Sequence, residues 1–126
     1  MRQILSIPGA PKPIGPYSQA VRLNNQLYVS GQIPLDPETG ELVLDSIENA
    51  THQVMRNIQA LIHVAGMQMS DIVKVSIFIT DMNDFPKINA VYANYFTVDY
   101  PARETVQVSS LPMNVPIEIS CIAIVE

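Results

Sequence analysis

Tryptophan is absent from the sequence, cysteine occurs once and glycine only five times in 126 residues. The lone thiol, Cys121, excludes an intrachain disulfide and any thiolate metal cluster, and its place in an apolar alternating run marks it as a packing side chain. No HExxH, CxxC, GxSxG or glycine-rich phosphate loop occurs, so the common signatures of zinc, redox, serine-nucleophile and nucleotide chemistry are missing. The two histidines, His52 and His63, stand eleven residues apart on one predicted helix. Three helical turns separate them, so they can share a face but not a metal ion. Charge is also scarce, at 15%, and the seven Lys and Arg are scattered among twelve Asp and Glu for a net charge of -5. Nucleic acid and anionic membrane surfaces are poor partners for such a chain. No stretch reaches the 18 or so apolar residues of a membrane span, and the opening segment MRQILSIPGAPKPIGP has no apolar signal-peptide core. A reduced, cytoplasmic protein is expected.

Apolar residues make up 48% of the chain, enough for a core, and the length fits one domain, residues 1–126. Surface scaling gives about 6,700 Å² of folded surface for a monomer of this size. A chain so apolar and so poor in charge is expected to cover part of that surface with other copies of itself.

The first sixteen residues carry Pro8, Pro11, Pro13 and Pro16 with Gly9 and Gly15, which predicts an extended, pinned arm. SQAVRL and QLYVSGQ flank Asn24-Asn25 and read as a hairpin. Residues Pro34 to Asp45 hold successive turn signals, an excursion from the core. Ser46 can cap a helix from about Ile47 to Ala65, since Ile47, Ala50, Val54, Ile58, Leu61, Ile62 and Ala65 recur at spacings of three and four, and Gly66 ends it. DIVKVSIFIT is β-branched and reads as a central strand, with Val73, Val75, Ile77 and Ile79 on one face and Ile72 and Lys74 on the other. Asp84 is the expected cap of a second helix of four or five turns with the stripe Ile88, Val91, Tyr92, Tyr95 and Phe96. RETVQVSS and IEISCIAIV are the last strands, joined by a proline-bounded break. The order β-β-α-β-α-β-β predicts an α+β two-layer sandwich, a mixed sheet with two helices on one face. Its other face is not cleanly polar, which a closed homo-oligomer would cover.

Arg103 follows Tyr100-Pro101-Ala102 at the mouth of a strand and alternates with Thr105 and Gln107, while Glu104 faces away. A guanidinium there can grip a carboxylate bidentately; a salt bridge, for instance to Glu118, is the competing reading. Glu118, in the last strand, is either structural or a half-buried carboxyl with a raised pKa suited to acid-base work. Tyr17 can donate a hydroxyl to a pocket or anchor a turn. Ser30 and Gly31 mark a place of close approach or a bulge. Asn89 can bind a carboxylate or simply face solvent.

The segments IGPYSQA, YVSGQIPLDPETGE, THQVMRNIQALIHVAG, DIVKVSIFITDMNDF, INAVYANYF, PAR and LPMNVPIEISCIAIV cover nearly the full chain in collinear order. Together they resemble the Rid family, the YjgF-type enamine/imine deaminases. The resemblance implies a chorismate-mutase-like fold and a homotrimer with clefts between subunits. It also implies hydrolysis of 2-aminoacrylate and 2-iminobutanoate, released by pyridoxal-phosphate-dependent dehydratases, to 2-oxo acids and ammonia without metal or cofactor. On this resemblance Arg103 looks like the group that grips the substrate carboxylate and Glu118 like the glutamate beside the attacking water. Tyr17, Ser30, Gly31 and Asn89 match the remaining pocket positions. One departure stands out. After PAR the deaminase branch usually reads Ser-Cys-Val, whereas this chain has Glu104, Thr105 and Val106, so the family cysteine position is Thr105, with altered pocket volume and polarity. The alternative to catalysis is a non-catalytic 2-oxo acid binding or regulatory protein of the same fold. A ribonuclease reading fits poorly with the acidic balance.

Overall fold

The computed structural model describes residues 1–126. Six strands, β1 (Arg2–Leu5), β2 (Ala20–Leu23), β3 (Gln26–Gln32), β4 (Ile72–Ile79), β5 (Ala102–Gln107) and β6 (Ile117–Ile124), form one mixed sheet in the order β1-β2-β3-β6-β4-β5, and both helices pack on one of its faces. Strands β2 (Ala20–Leu23) and β3 (Gln26–Gln32) make the expected hairpin, with Asn24 at φ 55 in the turn. The sheet has one strand more than the sequence pattern predicts: β1 (Arg2–Leu5) pairs antiparallel with β2 at the edge. RQIL precedes the first proline, so its backbone is free to join a ladder that the segment from Pro8 to Pro16 cannot.

Helix α1 spans Ile47–Val64, capped by Ser46, whose hydroxyl accepts from the Asn49 N–H at 3.0 Å. Its inward stripe, including Ala50, Val54, Ile58, Leu61 and Ile62, is buried, and each large aliphatic side chain contributes roughly 1.5–3 kcal/mol. Gly66 at φ +72 ends the helix. Arg22 of β2 donates to the Ala65 carbonyl, putting a cation at the negative end of the helix dipole. The excursion after β3 is held down by buried Asn57, which donates to the carbonyls of Ile33 at 3.2 Å and Leu35 at 2.8 Å and accepts from Gln53 at 3.0 Å.

Strand β4 (Ile72–Ile79) is central, antiparallel to β6 (Ile117–Ile124) and parallel to β5 (Ala102–Gln107). Strict alternation fails at its start. The register shifts between Ile72 and Lys74, so Ile72 joins Val75, Ile77 and Ile79 in the core and Val73 is exposed. Helix α2 is shorter than expected, Phe85–Ala93, and Tyr95 and Phe96 lie beyond it. Asp84 makes no side-chain cap, because a 3₁₀ turn over Met82–Asp84 leads directly into α2 and leaves Asp84 already helical at φ -78, ψ -11. The cap is made one turn earlier, where Asp81 accepts from the Asn83 N–H at 2.9 Å. No helix is long and apolar enough to cross a membrane.

The sheet face away from the helices carries exposed Ile4, Leu23, Tyr28, Val106 and Ile124, with the Lys74–Glu104 ion pair at 2.9 Å among its charged groups. The single chain exposes 7271 Å², above the roughly 6,700 Å² expected for its mass. The excess fits a sheet with one face bare.

Candidate functional site

The seven candidate residues gather into two groups. The first surrounds a bulge in β3, where Val29 pairs with Cys121 but Gln32 with Ile119, leaving an extra residue across from β6. Gly31 lies in that bulge against Glu118: a Cβ there would sit 2.6 Å from the Glu118 carboxyl carbon and from Oε2. Glycine here leaves room for the Glu118 carboxyl, and its backbone lies outside the left-handed region. Ser30 ties in the preceding segment, its hydroxyl donating to the Ser18 carbonyl at 2.5 Å and its N–H to the Gln19 carbonyl at 2.9 Å. Tyr17, just before Ser18, is exposed. Half-buried Glu118 has its pKa raised by desolvation, since burial disfavours the carboxylate.

The second group lies on the helix side of β5. Arg103 pairs in register with Val75, and Thr105 with Ile77, so both side chains share the face that α2 covers. Arg103 Nη1 donates to Asn89 Oδ1 at 2.7 Å, and its guanidinium carbon lies 5.0 Å from the centroid of the Tyr92 ring and 5.5 Å from that of Phe85. No carboxylate pairs with it. Glu104 turns to the opposite face, where it meets Lys74 and the Ser76 hydroxyl, which holds its carboxyl below the usual range. Thr105 Oγ1 and the Tyr92 hydroxyl are buried without a hydrogen-bond partner. A groove of about 510 Å³ opens beside the guanidinium, lined by Asn89, Tyr92, Ala93, Tyr100, Pro101 and Arg103.

The two groups do not meet within one chain. Arg103 is level with Val75 and Cys121, Glu118 with Phe78, so they are two strands apart across the sheet and three residues apart along it. Each offset is roughly 10 Å, and the side chains leave opposite faces. An Arg103–Glu118 salt bridge within the chain is therefore excluded.

Other residues weighed from the sequence fall outside both groups. His52 Nδ1 lies 2.7 Å from the Tyr95 hydroxyl, while His63 is exposed. The Cys121 thiol is buried and pushed up to about 12. Tyr92 was legible only as part of an apolar stripe and Phe85 was not singled out, although their spacing with Asn89 on α2, by four and then three residues, puts all three on one face.

A family model described as Endoribonuclease L-PSP matches residues 8–125. The chain belongs to this family, the Rid family of YjgF/RutC type. A RutC family protein of Pyrococcus horikoshii is 50% identical over 123 residues, covering 98% of each chain. A 2-iminobutanoate/2-iminopropanoate deaminase of Dermatophagoides farinae is 46% identical over 125 residues, covering 99% of this chain and 98% of the relative. The crystal structure of E. coli TdcF with bound serine superposes with a TM-score of 0.93 at 41% identity, covering 98% of this chain and 99% of that one. As a Rid-family chain, the protein carries its candidate side chains on a backbone that relatives share from end to end.

Proposed function

We propose that the protein is a hydrolytic deaminase of small 2-enamine and 2-imine acids, converting 2-aminoacrylate and 2-iminobutanoate to 2-oxo acids and ammonia. It works as a cytoplasmic homotrimer, downstream of pyridoxal-phosphate-dependent dehydratases of serine and threonine. Each cleft joins Arg103, Asn89 and Thr105 of one copy to Glu118, Gly31, Ser30 and Tyr17 of the next. The observation that carries this reading is the placement of Arg103 and Glu118 on opposite faces of one sheet, so that only a second copy can bring a guanidinium and a carboxyl to one small substrate. The bare apolar sheet face supports self-association. The 46% identity to a protein named as this deaminase, and the serine bound by a relative of the same fold, favour a small amino-acid-like ligand.

The chemistry needs little machinery. Arg103 holds the carboxylate of the substrate and fixes C2 of its iminium form. Glu118, its pKa raised by burial, orients a water and accepts a proton as the water oxygen bonds to C2. The resulting carbinolamine takes that proton on nitrogen, the C–N bond breaks, and ammonia leaves as Glu118 accepts the remaining hydroxyl proton and the C2 carbonyl forms. Thr105 puts a hydroxyl where the deaminase branch has a thiol, which retains the backbone of that position.

The test is complementation between inactive variants. Arg103→Ala and Glu118→Ala are each expected to lose acceleration of ammonia release when a dehydratase generates the imine. After mixing and reassembly in equal amounts, about a quarter of the clefts regain an intact Arg103 and an intact Glu118 from different copies. Activity of Arg103→Ala equal to the unmodified protein rejects the catalytic assignment, and failure of mixing to restore turnover rejects the shared cleft. Binding of 2-oxobutanoate without any imine turnover by the unmodified protein would select a ligand-binding role instead.

A further inference from the structure

Arginine in a ligand site is commonly steadied by a carboxylate, which fixes the side chain but cancels much of its charge. Arg103 is steadied differently. Phe85, Asn89 and Tyr92 lie on one face of α2, and their side chains present two aromatic faces and a neutral amide oxygen to a single guanidinium. The distances of 5.0 and 5.5 Å to the two ring centroids are within the reach of cation–π attraction. Asn89 takes one of the five N–H donors of the guanidinium at 2.7 Å.

We propose that Phe85, Asn89 and Tyr92 are positioning residues that form an uncharged cradle for Arg103, immobilising its guanidinium while leaving its positive charge free for the carboxylate of a 2-oxo or 2-imino acid. The proposal rests on the carboxylate-binding role assigned to Arg103 above. Restricting a long, flexible side chain before the ligand arrives reduces the entropy lost on binding. No carboxylate of its own chain lies against the guanidinium, so its charge and remaining N–H donors stay open to an anion. Tyr92 is only 4% exposed, so its ring is a fixed wall. Burial pushes its phenol up to about 12, against the opposing pull of Arg103, so the ring stays neutral at physiological pH. Its hydroxyl has no hydrogen-bond partner, so the cradle uses the ring and not the oxygen.

That last point makes the proposal separable from a general packing role. The experiment is calorimetric titration of the full-length protein with 2-oxobutanoate, alongside steady-state imine turnover. Tyr92→Phe keeps the ring and is expected to bind within about twofold of the parent. Tyr92→Leu and Phe85→Leu, which remove a ring face, are expected to weaken binding by about five- to thirtyfold, the range that one lost cation–π contact supports. The loss is expected in KM, with kcat largely retained. Asn89→Asp places a carboxylate where the amide now accepts from Arg103; it strengthens the grip on the guanidinium yet is expected to abolish acid binding. Should Tyr92→Leu fail to fold, half-buried Phe85 and exposed Asn89 carry the test. Parental affinity in both Phe85→Leu and Asn89→Asp would overturn the cradle if Arg103→Ala still abolishes binding. Undiminished binding by Arg103→Ala would instead overturn the assignment on which the cradle rests.

Discussion

Adding one methyl group at Gly31 tests the closest approach in the first half of the site. A Cβ there would meet three Glu118 atoms, the carboxyl carbon and Oε2 at 2.6 Å and Cγ at 2.9 Å. Those distances are far inside van der Waals contact, so Glu118 must swing away. The Gly31 backbone is outside the left-handed region, so alanine adds no backbone strain. The atoms met are the end of a flexible, half-buried side chain, so moving them costs about 0.5–1.5 kcal/mol, offset by about 0.4–1 kcal/mol from the lower entropy of the unfolded chain. Gly31→Ala should therefore stay within about 1 kcal/mol of parental stability yet lose most imine turnover, since the carboxyl is displaced from the cleft. The balance should shift toward stability in the Glu118→Ala background. With the obstructing side chain gone, only the unfolded-state term remains, and the same substitution should stabilise by about 0.4–1 kcal/mol. A double-mutant cycle by urea unfolding at fixed protein concentration measures both values. Equal effects of Gly31→Ala on stability in the two backgrounds would refute the assignment of the clash, as would unchanged turnover in Gly31→Ala alone.

Two further outcomes follow from polar groups. Glu118 has a folded-state pKa above its unfolded value because burial disfavours its charge. Between the two values the folded chain holds the extra proton, so stability falls as pH rises through this window; Glu118→Gln should flatten that dependence in unfolding curves measured across it. Asn57→Leu should lose about 2–4 kcal/mol and speed proteolytic cleavage of the 33–42 segment, because the carbonyls of Ile33 and Leu35 and the Gln53 amide lose their partner; parental stability would show that water replaces the amide without penalty.

The sheet-and-helix architecture was legible because its signals are local. Ser46 as cap, the three-and-four spacing of α1 and the Asn24-Asn25 turn each act within a few residues. What escaped depended on partners distant in sequence. Strand β1 needs the exposed edge of β2 to exist at all, and the register shift at Val73 is visible only against β6. The alternation of β5 correctly separated Arg103 from Glu104. It gave no warning that Glu118 leaves the opposite face, because that relation passes through β4 and its two different pairings. The aromatic walls around Arg103 were hidden for another reason: Tyr92 in an apolar stripe has the same pattern whether it fills a core or supports a cation.

The opposite-facing half-sites also bear on how defects combine in a mixed population. In the proposed homotrimer every copy would lend its arginine to one neighbour and its glutamate to the other. A single chain damaged at both positions would then silence two reaction chambers while removing one polypeptide. Blending intact and doubly damaged chains in equal parts would leave about a quarter of the chambers working where independent units would leave half, so interference would exceed dilution.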